Sequence, residues 1–127
     1  MSQHSDGIVW FEIPASDFER ATRFYETVFQ VTLRREQYGD DNARMGVFPY
    51  QLPGVNGAVV EGAMYQPGAT GSVVYFNAGA DLAVPLARVE GAGGKVLVPK
   101  TLISPEIGYF AHIIDTEGNR VAMHSMN

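Results

Sequence analysis

Ile8-Val9-Trp10-Phe11-Glu12-Ile13-Pro14, running directly into Ala15 to Gln30, decides the fold. The first seven residues read as a buried strand and the next sixteen as an amphipathic helix. Phe18, Ala21, Phe24, Tyr25, Val28 and Phe29 recur at the three-and-four spacing that buries one stripe of a helix, leaving Glu19, Arg20, Arg23 and Glu26 to water. Ser16 followed by Glu19 has the form of a capping box, and on that basis it starts the helix.

The same unit returns about 64 residues later. Val73-Val74-Tyr75-Phe76-Asn77 repeats the strand, and Asp81 to Glu90 repeats the helix, with Pro85 close enough to its start to be tolerated. Gly91, Gly93 and Gly94 end it. In the first half, strands follow at Val31 to Gln37, Arg44 to Phe48 and Ala58 to Tyr65. They are separated by the turn Gly39-Asp40-Asp41-Asn42 and by the proline-broken loop Pro49 to Val55. In the second half, Lys95 to Lys100 is a strand, Thr101 to Ile107 a loop and Tyr109 to Ile114 a strand. Asp115-Thr116-Glu117-Gly118 is a tight turn, and Asn119 to His124 is the last strand. Each half is therefore β-α-β-β-β. The chain is expected to be a single domain over 1–127, made of an N-terminal module (7–65), a linker (66–71) and a C-terminal module (72–125).

Composition narrows the function. A formal charge of −5, spread without runs, argues against a nucleic-acid partner, which needs a basic face. There is no cysteine, so disulfides, thiol chemistry and cysteine metal sites are excluded. No apolar run approaches the length of a membrane span, so a cytoplasmic protein with no membrane partner is expected. One helix for four strands leaves a face of each sheet to be covered, and cavities formed that way take small ligands.

The doubled β-α-β-β-β order resembles the vicinal oxygen chelate superfamily, the group of glyoxalase I, bleomycin-resistance proteins and extradiol dioxygenases. The resemblance is carried by Glu12-Ile13-Pro14, Asp17 to Ala21, Phe24-Tyr25, Gly93-Gly94 and Asp115-Thr116-Glu117-Gly118-Asn119-Arg120. It implies an α+β fold, two βαβββ modules forming mixed, curved sheets around a concave cavity, and a homodimer. It also implies a divalent ion held by His and Glu on the first and last strands of each module. In this sequence those positions fall on Trp10, on Val74 within one residue, on Ala122, and near Val60 or Glu61. Of these only Glu61 could bind, so no metal site and no cofactor are expected, a divalent ion being the alternative.

Strand alternation puts Glu12 on the face of Trp10 and His124 on the face of Ala122. A carboxylate and an imidazole on a cavity face suit general acid/base chemistry or a relocated metal site. Each also has a structural reading, Glu12 as the partner of an arginine and His124 as a surface group near the C-terminus. Trp10, Tyr75, Phe76, Phe48 and Tyr109 offer aromatic area and Asn77 a polar contact. Met45, Phe48 and Tyr50 are placed to form a lid. His112 reads as structural. The sequence thus favours a protein that binds an apolar or aromatic small molecule without metal. The alternative is a lyase, isomerase or dioxygenase acting on a carbonyl or vicinal-oxygen substrate through Glu12 and His124.

Overall fold

The computed structural model describes residues 7–38, 43–50 and 54–127. The turn at 39–42 and the centre of the loop at 51–53 lie outside the described residues, as does the segment 1–6.

Two four-stranded sheets are built with the same connectivity. The first contains β1 (Trp10–Pro14), β2 (Arg34–Tyr38), β3 (Ala43–Val47) and β4 (Asn56–Glu61), in the order β1-β4-β3-β2, with α1 (Phe18–Phe29) between β1 and β2. The second contains β5 (Tyr75–Asn77), β6 (Lys95–Ser104), β7 (Gly108–Ile114) and β8 (Arg120–Ser125), in the order β5-β8-β7-β6, with α2 (Ala83–Leu86) between β5 and β6. In each sheet the first strand pairs parallel to the last and the others pair antiparallel, so both sheets are mixed. The α+β reading of the sequence is correct.

The hydrophobic stripe of α1 is buried as its spacing dictates, with Phe18, Phe24, Tyr25 and Val28 at 1% exposure or less. It packs into a core drawn from both halves, including Ile13, Phe48 and Val59 from the first and Leu82, Ile113, Val121 and Met123 from the second. Gly94 permits part of this, because a Cβ there would lie 2.7 Å from the Phe24 ring and 2.6 Å from the Ile114 carbonyl oxygen.

Three expectations about local structure are corrected. Ser16 does not cap α1; Asp17 does, its side chain accepting from the Arg20 amide at 3.1 Å. The Ser16 amide and hydroxyl both turn to Glu117, 101 residues away. The second helix is much shorter than Asp81 to Glu90. Beyond Pro85 the chain forms three-residue bonds, Arg88 N to Pro85 O at 3.0 Å and Val89 N to Leu86 O at 3.2 Å, the tighter turn a chain adopts where the α pattern fails. The segment Thr101 to Ser104, read as loop, instead extends β6, pairing through register shifts with Gly108 to Phe110.

The turn after β7 joins the halves. Asp115 is buried, and its carboxylate accepts from the Tyr25 hydroxyl at 2.6 Å, from the amides of Glu117 and Asn119 at 2.9 Å each, and from Asn119 Nδ2 at 3.0 Å. Asn119 Nδ2 also donates to Pro14 O, and Asn119 Oδ1 accepts from the Gly68 amide, which ties β1 and the linker to the same point. The Glu117 side chain is fully buried against the start of α1, accepting from the Asp17 amide at 2.8 Å and from Arg20 Nε at 2.8 Å. Glu61 Oε1 accepts from the Phe18 amide at 2.7 Å, so carboxylates from both halves satisfy the free amides of one helix end.

Burial alone would raise the Glu117 pKa. The Arg20 guanidinium, the Asp17 amide and the Thr116 and Ser16 hydroxyls outweigh it and hold the carboxyl at about 2. A carboxylate with a depressed folded pKa contributes stability above its unfolded pKa, near 4.3, and loses it as pH falls toward the folded value. Glu117→Gln is therefore expected to flatten the fall in urea-unfolding stability between about pH 4.5 and 2; an unchanged slope would show that Glu117 does not carry it. Tyr25→Phe, which keeps the ring and removes the donor to Asp115, is expected to cost about 1 to 3 kcal/mol in the same measurement. A loss within error would mean that this hydroxyl does not hold the halves together.

Candidate functional site

Alternation divides each sheet into a helix-side face and an open face. On the first sheet Trp10, Glu12, Asn56, Ala58, Met45 and Val47 share the open face through the β1-β4-β3 register. Phe11 and Ile13 point the other way, into the core. On the second sheet Tyr75, Asn77, Ala122, His124, Phe110 and His112 share the open face. Phe76 turns to the core and packs edge-on to Phe11 at 5.5 Å.

Among the described residues a cavity lies where the first strands of the two halves meet. It is a cleft of about 690 Å³ whose wall is made by Phe11, Phe29, Phe48 and Phe76. The rings form one cluster, with centroids of Phe29 and Phe76 at 5.0 Å, Phe48 and Phe76 at 5.4 Å, and Phe11 and Phe48 at 5.8 Å. Gly57 makes room for it, because a Cβ there would lie 2.5 Å from the Phe11 ring, which crosses the glycine directly. Val55, Val84 and Pro85 add apolar surface at the rim.

Polar groups around the cleft are few and mostly engaged. Asn77 Oδ1 accepts from the Gly79 amide at 3.0 Å. Asp81 accepts from the Ala83 amide and from Lys100 Nζ, which hold its carboxyl below the usual range, the amide contributing most. Arg88 Nη1 donates to the Val28 carbonyl at 3.0 Å. Asn56 also lines the cleft and is 6% exposed.

Of the residues singled out in the sequence, Phe48, Tyr75, Phe76 and Asn77 line this one cleft. Trp10 lies instead over a hollow on the open face of the first sheet, with Met45, Val47 and Tyr50. Tyr109 lies beneath Lys100, whose Nζ is 4.5 Å from its ring centroid. Glu12 accepts from Trp10 Nε1 at 3.1 Å and borders a groove with Pro67 and Arg120. His124 Nε2 bonds the Ile107 carbonyl and borders a different hollow, beside Ser125 and Met126. The groove beside Glu12 and the hollow beside His124 are thus separate.

The residues present do not fit the metal tetrad of the resembling family. Trp10 and Ala122 carry no suitable donor. Val74 packs on the core, and the open-face position beside Ala122 belongs to Tyr75. Glu61 has its carboxylate on the end of α1. Among the described residues no three His, Asp or Glu side chains come close enough to hold an ion.

His112, read from the sequence as structural, sits in a polar network. It is buried on the open face of the second sheet, where Arg120 Nε donates to its Nδ1 at 2.9 Å and its Nε2 meets the Tyr75 hydroxyl at 2.9 Å. With Nδ1 accepting, Nε2 carries the ring proton and donates to Tyr75, which leaves the phenol proton directed away from the ring. Burial, and then the Arg120 charge, lower the His112 pKa. Pairing of Phe110 with His124 and of His112 with Ala122 was the only signal available, and it becomes readable once the register is known.

No family model matches this sequence, and no curated protein matches it. Solved structures do. The antibiotic-binding protein TnmS3 from Streptomyces sp. CB03234 superposes with a TM-score of 0.67 at 23% identity, over 94% of this chain and 95% of its own. A glyoxalase-related enzyme from Fulvimarina pelagi gives 0.65 at 19%, over 93% and 86%. Glyoxalase I from Zea mays, as its E144Q mutant, gives 0.66 at 17%, over 93% of this chain and 46% of the maize one. The chain thus spans under half the length of the maize enzyme. The architecture is the fold shared by glyoxalase I and the glyoxalase/bleomycin resistance proteins.

A proton-coupled ¹⁵N spectrum tests the His112 arrangement. Its ring is expected as the Nε2–H tautomer, titrating below about 6.5, and Arg120→Leu is expected to move the titration upward. The opposite tautomer would break the link to Arg120, since Nδ1 would then be a donor facing a donor.

Proposed function

We propose that this chain is a small-molecule-binding protein that takes a planar, apolar or aromatic ligand in the phenylalanine-walled cleft and needs no metal to do so. The observation that supports this reading best is the cleft itself. A volume of about 690 Å³ lies within the range of pockets that enclose drug-sized ligands, which is about 300–1,000 Å³. Its wall is four phenylalanine rings on two strands, a helix and a loop, rigid apolar surface that loses little conformational freedom on binding. TnmS3, an antibiotic-binding protein of the same fold and nearly the same length, is consistent with such a role. Catalysis by Glu12 and His124 has less support, since the two side chains border different hollows.

We also read the chain as a homodimer. Ile8, Val9, Trp10 and Tyr75 are 59%, 73%, 41% and 52% exposed, a large apolar area around the first strands of both halves that a second copy would cover. No helix among the described residues is long and apolar enough to cross a membrane.

N-phenyl-1-naphthylamine, whose fluorescence rises in apolar sites, tests the cleft. A saturable enhancement that survives EDTA is expected. Val84→Trp, placed at the exposed rim where it closes the cleft without entering the core, is expected to weaken the probe by at least about tenfold, near 1.4 kcal/mol. Absence of saturable binding, or loss of binding on metal removal, would refute the reading. Light scattering on the eluting protein gives the mass, and a monomer at all concentrations would refute the dimer.

A further inference from the structure

Most cations of this protein that are drawn against its body meet an acid. Arg20 pairs with Glu117, Arg34 with Glu36, Arg35 with Glu26, Arg44 with Glu19 and Lys100 with Asp81. Arg120 bonds His112, and Arg23 and Lys95 are exposed to water. Arg88 is different. It is half-buried, yet its guanidinium pairs with no carboxylate among the described residues. The chain has 14 Asp and Glu for 9 Lys and Arg, so a shortage of acids does not explain this.

Both ends of the Arg88 side chain place it at the cleft. Arg88 bonds back to Pro85 in the tight turn that follows α2, a spacing that puts the two side chains on one face, and Val84, Pro85 and Arg88 all line the cleft. At the far end, Nη1 donates to the carbonyl of Val28 in the last turn of α1 at 3.0 Å. Phe29, the next residue, and Val31 line the cleft as well. The guanidinium therefore reaches from the second helix to the end of the first, beside the aromatic wall. One bond to a carbonyl leaves most N–H groups of its fork over, in a group shaped to hold a carboxylate. Asp81, the carboxylate in the lining, is taken by Lys100 and the Ala83 amide.

Resting on the cleft reading above, we propose that Arg88 anchors an anionic group of the ligand: its guanidinium donates to a carboxylate borne by the ring system that the phenylalanine wall holds. The ligand class is then the planar aromatic acids, in preference to neutral or cationic aromatics. The rings supply area and the guanidinium supplies orientation. A net charge of −5 repels anions from the protein as a whole, so selection of an acid has to come from a local cation such as this one.

At neutral pH, 2-naphthoate, 2-naphthamide and 2-naphthamidine carry one ring system and a planar substituent of nearly one size, negative, neutral and positive in turn. Their affinities are to be compared by equilibrium dialysis. The intact protein is expected to hold 2-naphthoate at least about tenfold more tightly than 2-naphthamide, as one hydrogen bond to a charged group allows, and 2-naphthamidine most weakly. Arg88→Gln, whose side-chain amide keeps a donor for the Val28 carbonyl, removes the charge and is expected to close the gap between naphthoate and naphthamide. Arg88→Lys, which keeps the charge without the planar fork, is expected to preserve the order with a narrower gap, and it remains informative if the glutamine variant does not fold. Equal binding of naphthoate and naphthamide by the intact protein, tightest binding of naphthamidine, a naphthoate preference that survives Arg88→Gln, or its loss in Arg88→Lys would overturn the proposal and leave the cleft reading intact. Naphthoate binding that Val84→Trp does not weaken would overturn it too, because the acid would then lie outside the cleft. If none of the three binds, it is the cleft reading that fails, and this proposal with it.

Discussion

The carboxylate of Asp115 is the point on which the two halves depend. A buried carboxylate is costly unless its lone pairs are filled, and here four donors fill them, from α1, from the turn itself and from Asn119. The Tyr25 hydroxyl is fully buried beside it, and burial, then the negative charge, keep that phenol protonated well above its usual pKa. Removing any one donor leaves charge or hydroxyl without a partner in the interior. The Asp-Thr-Glu-Gly-Asn turn is thus structural. It couples the second half to the start of α1 in the first, through Asp115 at Tyr25 and through Glu117 at Ser16, Asp17 and Arg20.

That coupling also places the cleft. With α1 fixed at its N-terminal end by carboxylates from both halves, its C-terminal turn carries Phe29 out over the line where β1 and β5 approach. There Phe29 meets Phe76 from the second half, while Phe11 and Phe48 arrive from the first. The aromatic wall therefore exists only when the halves are docked. Ligand binding in the cleft and stability of the junction are linked on this account, because a ligand touching Phe11 and Phe76 together binds only the docked form.

The metal tetrad of the resembling family would lie on the open face of the two sheets. Positions on β1 and β8 that face away from the helices would carry the ion-binding groups of the resembling family, and here they hold Trp10 and Ala122. Glu61, the remaining donor by sequence position, faces the helix and caps it. A one-residue difference in facing separates a metal ligand from a capping group, as the two-residue period of a strand requires.

The periodicities alone determined much of this protein. The helix stripe from Phe18 to Phe29, the doubling at about 64 residues and the glycine turns each reflect a local rule, and together they were enough for the architecture. What they could not settle depended on partners distant in sequence. Ser16 had a valid capping box with Glu19, yet Glu117 captured it from 101 residues away. Thr101 to Ser104 became strand because Gly108 to Phe110 lay alongside. Phe48, Tyr75, Phe76 and Asn77 could be named as ligand contacts from composition and position. That they share one cleft, and that Trp10 and Tyr109 do not line it, was decided by the docking of the two halves. A residue type limits what a side chain can do; which cavity it faces is fixed by strand register and packing.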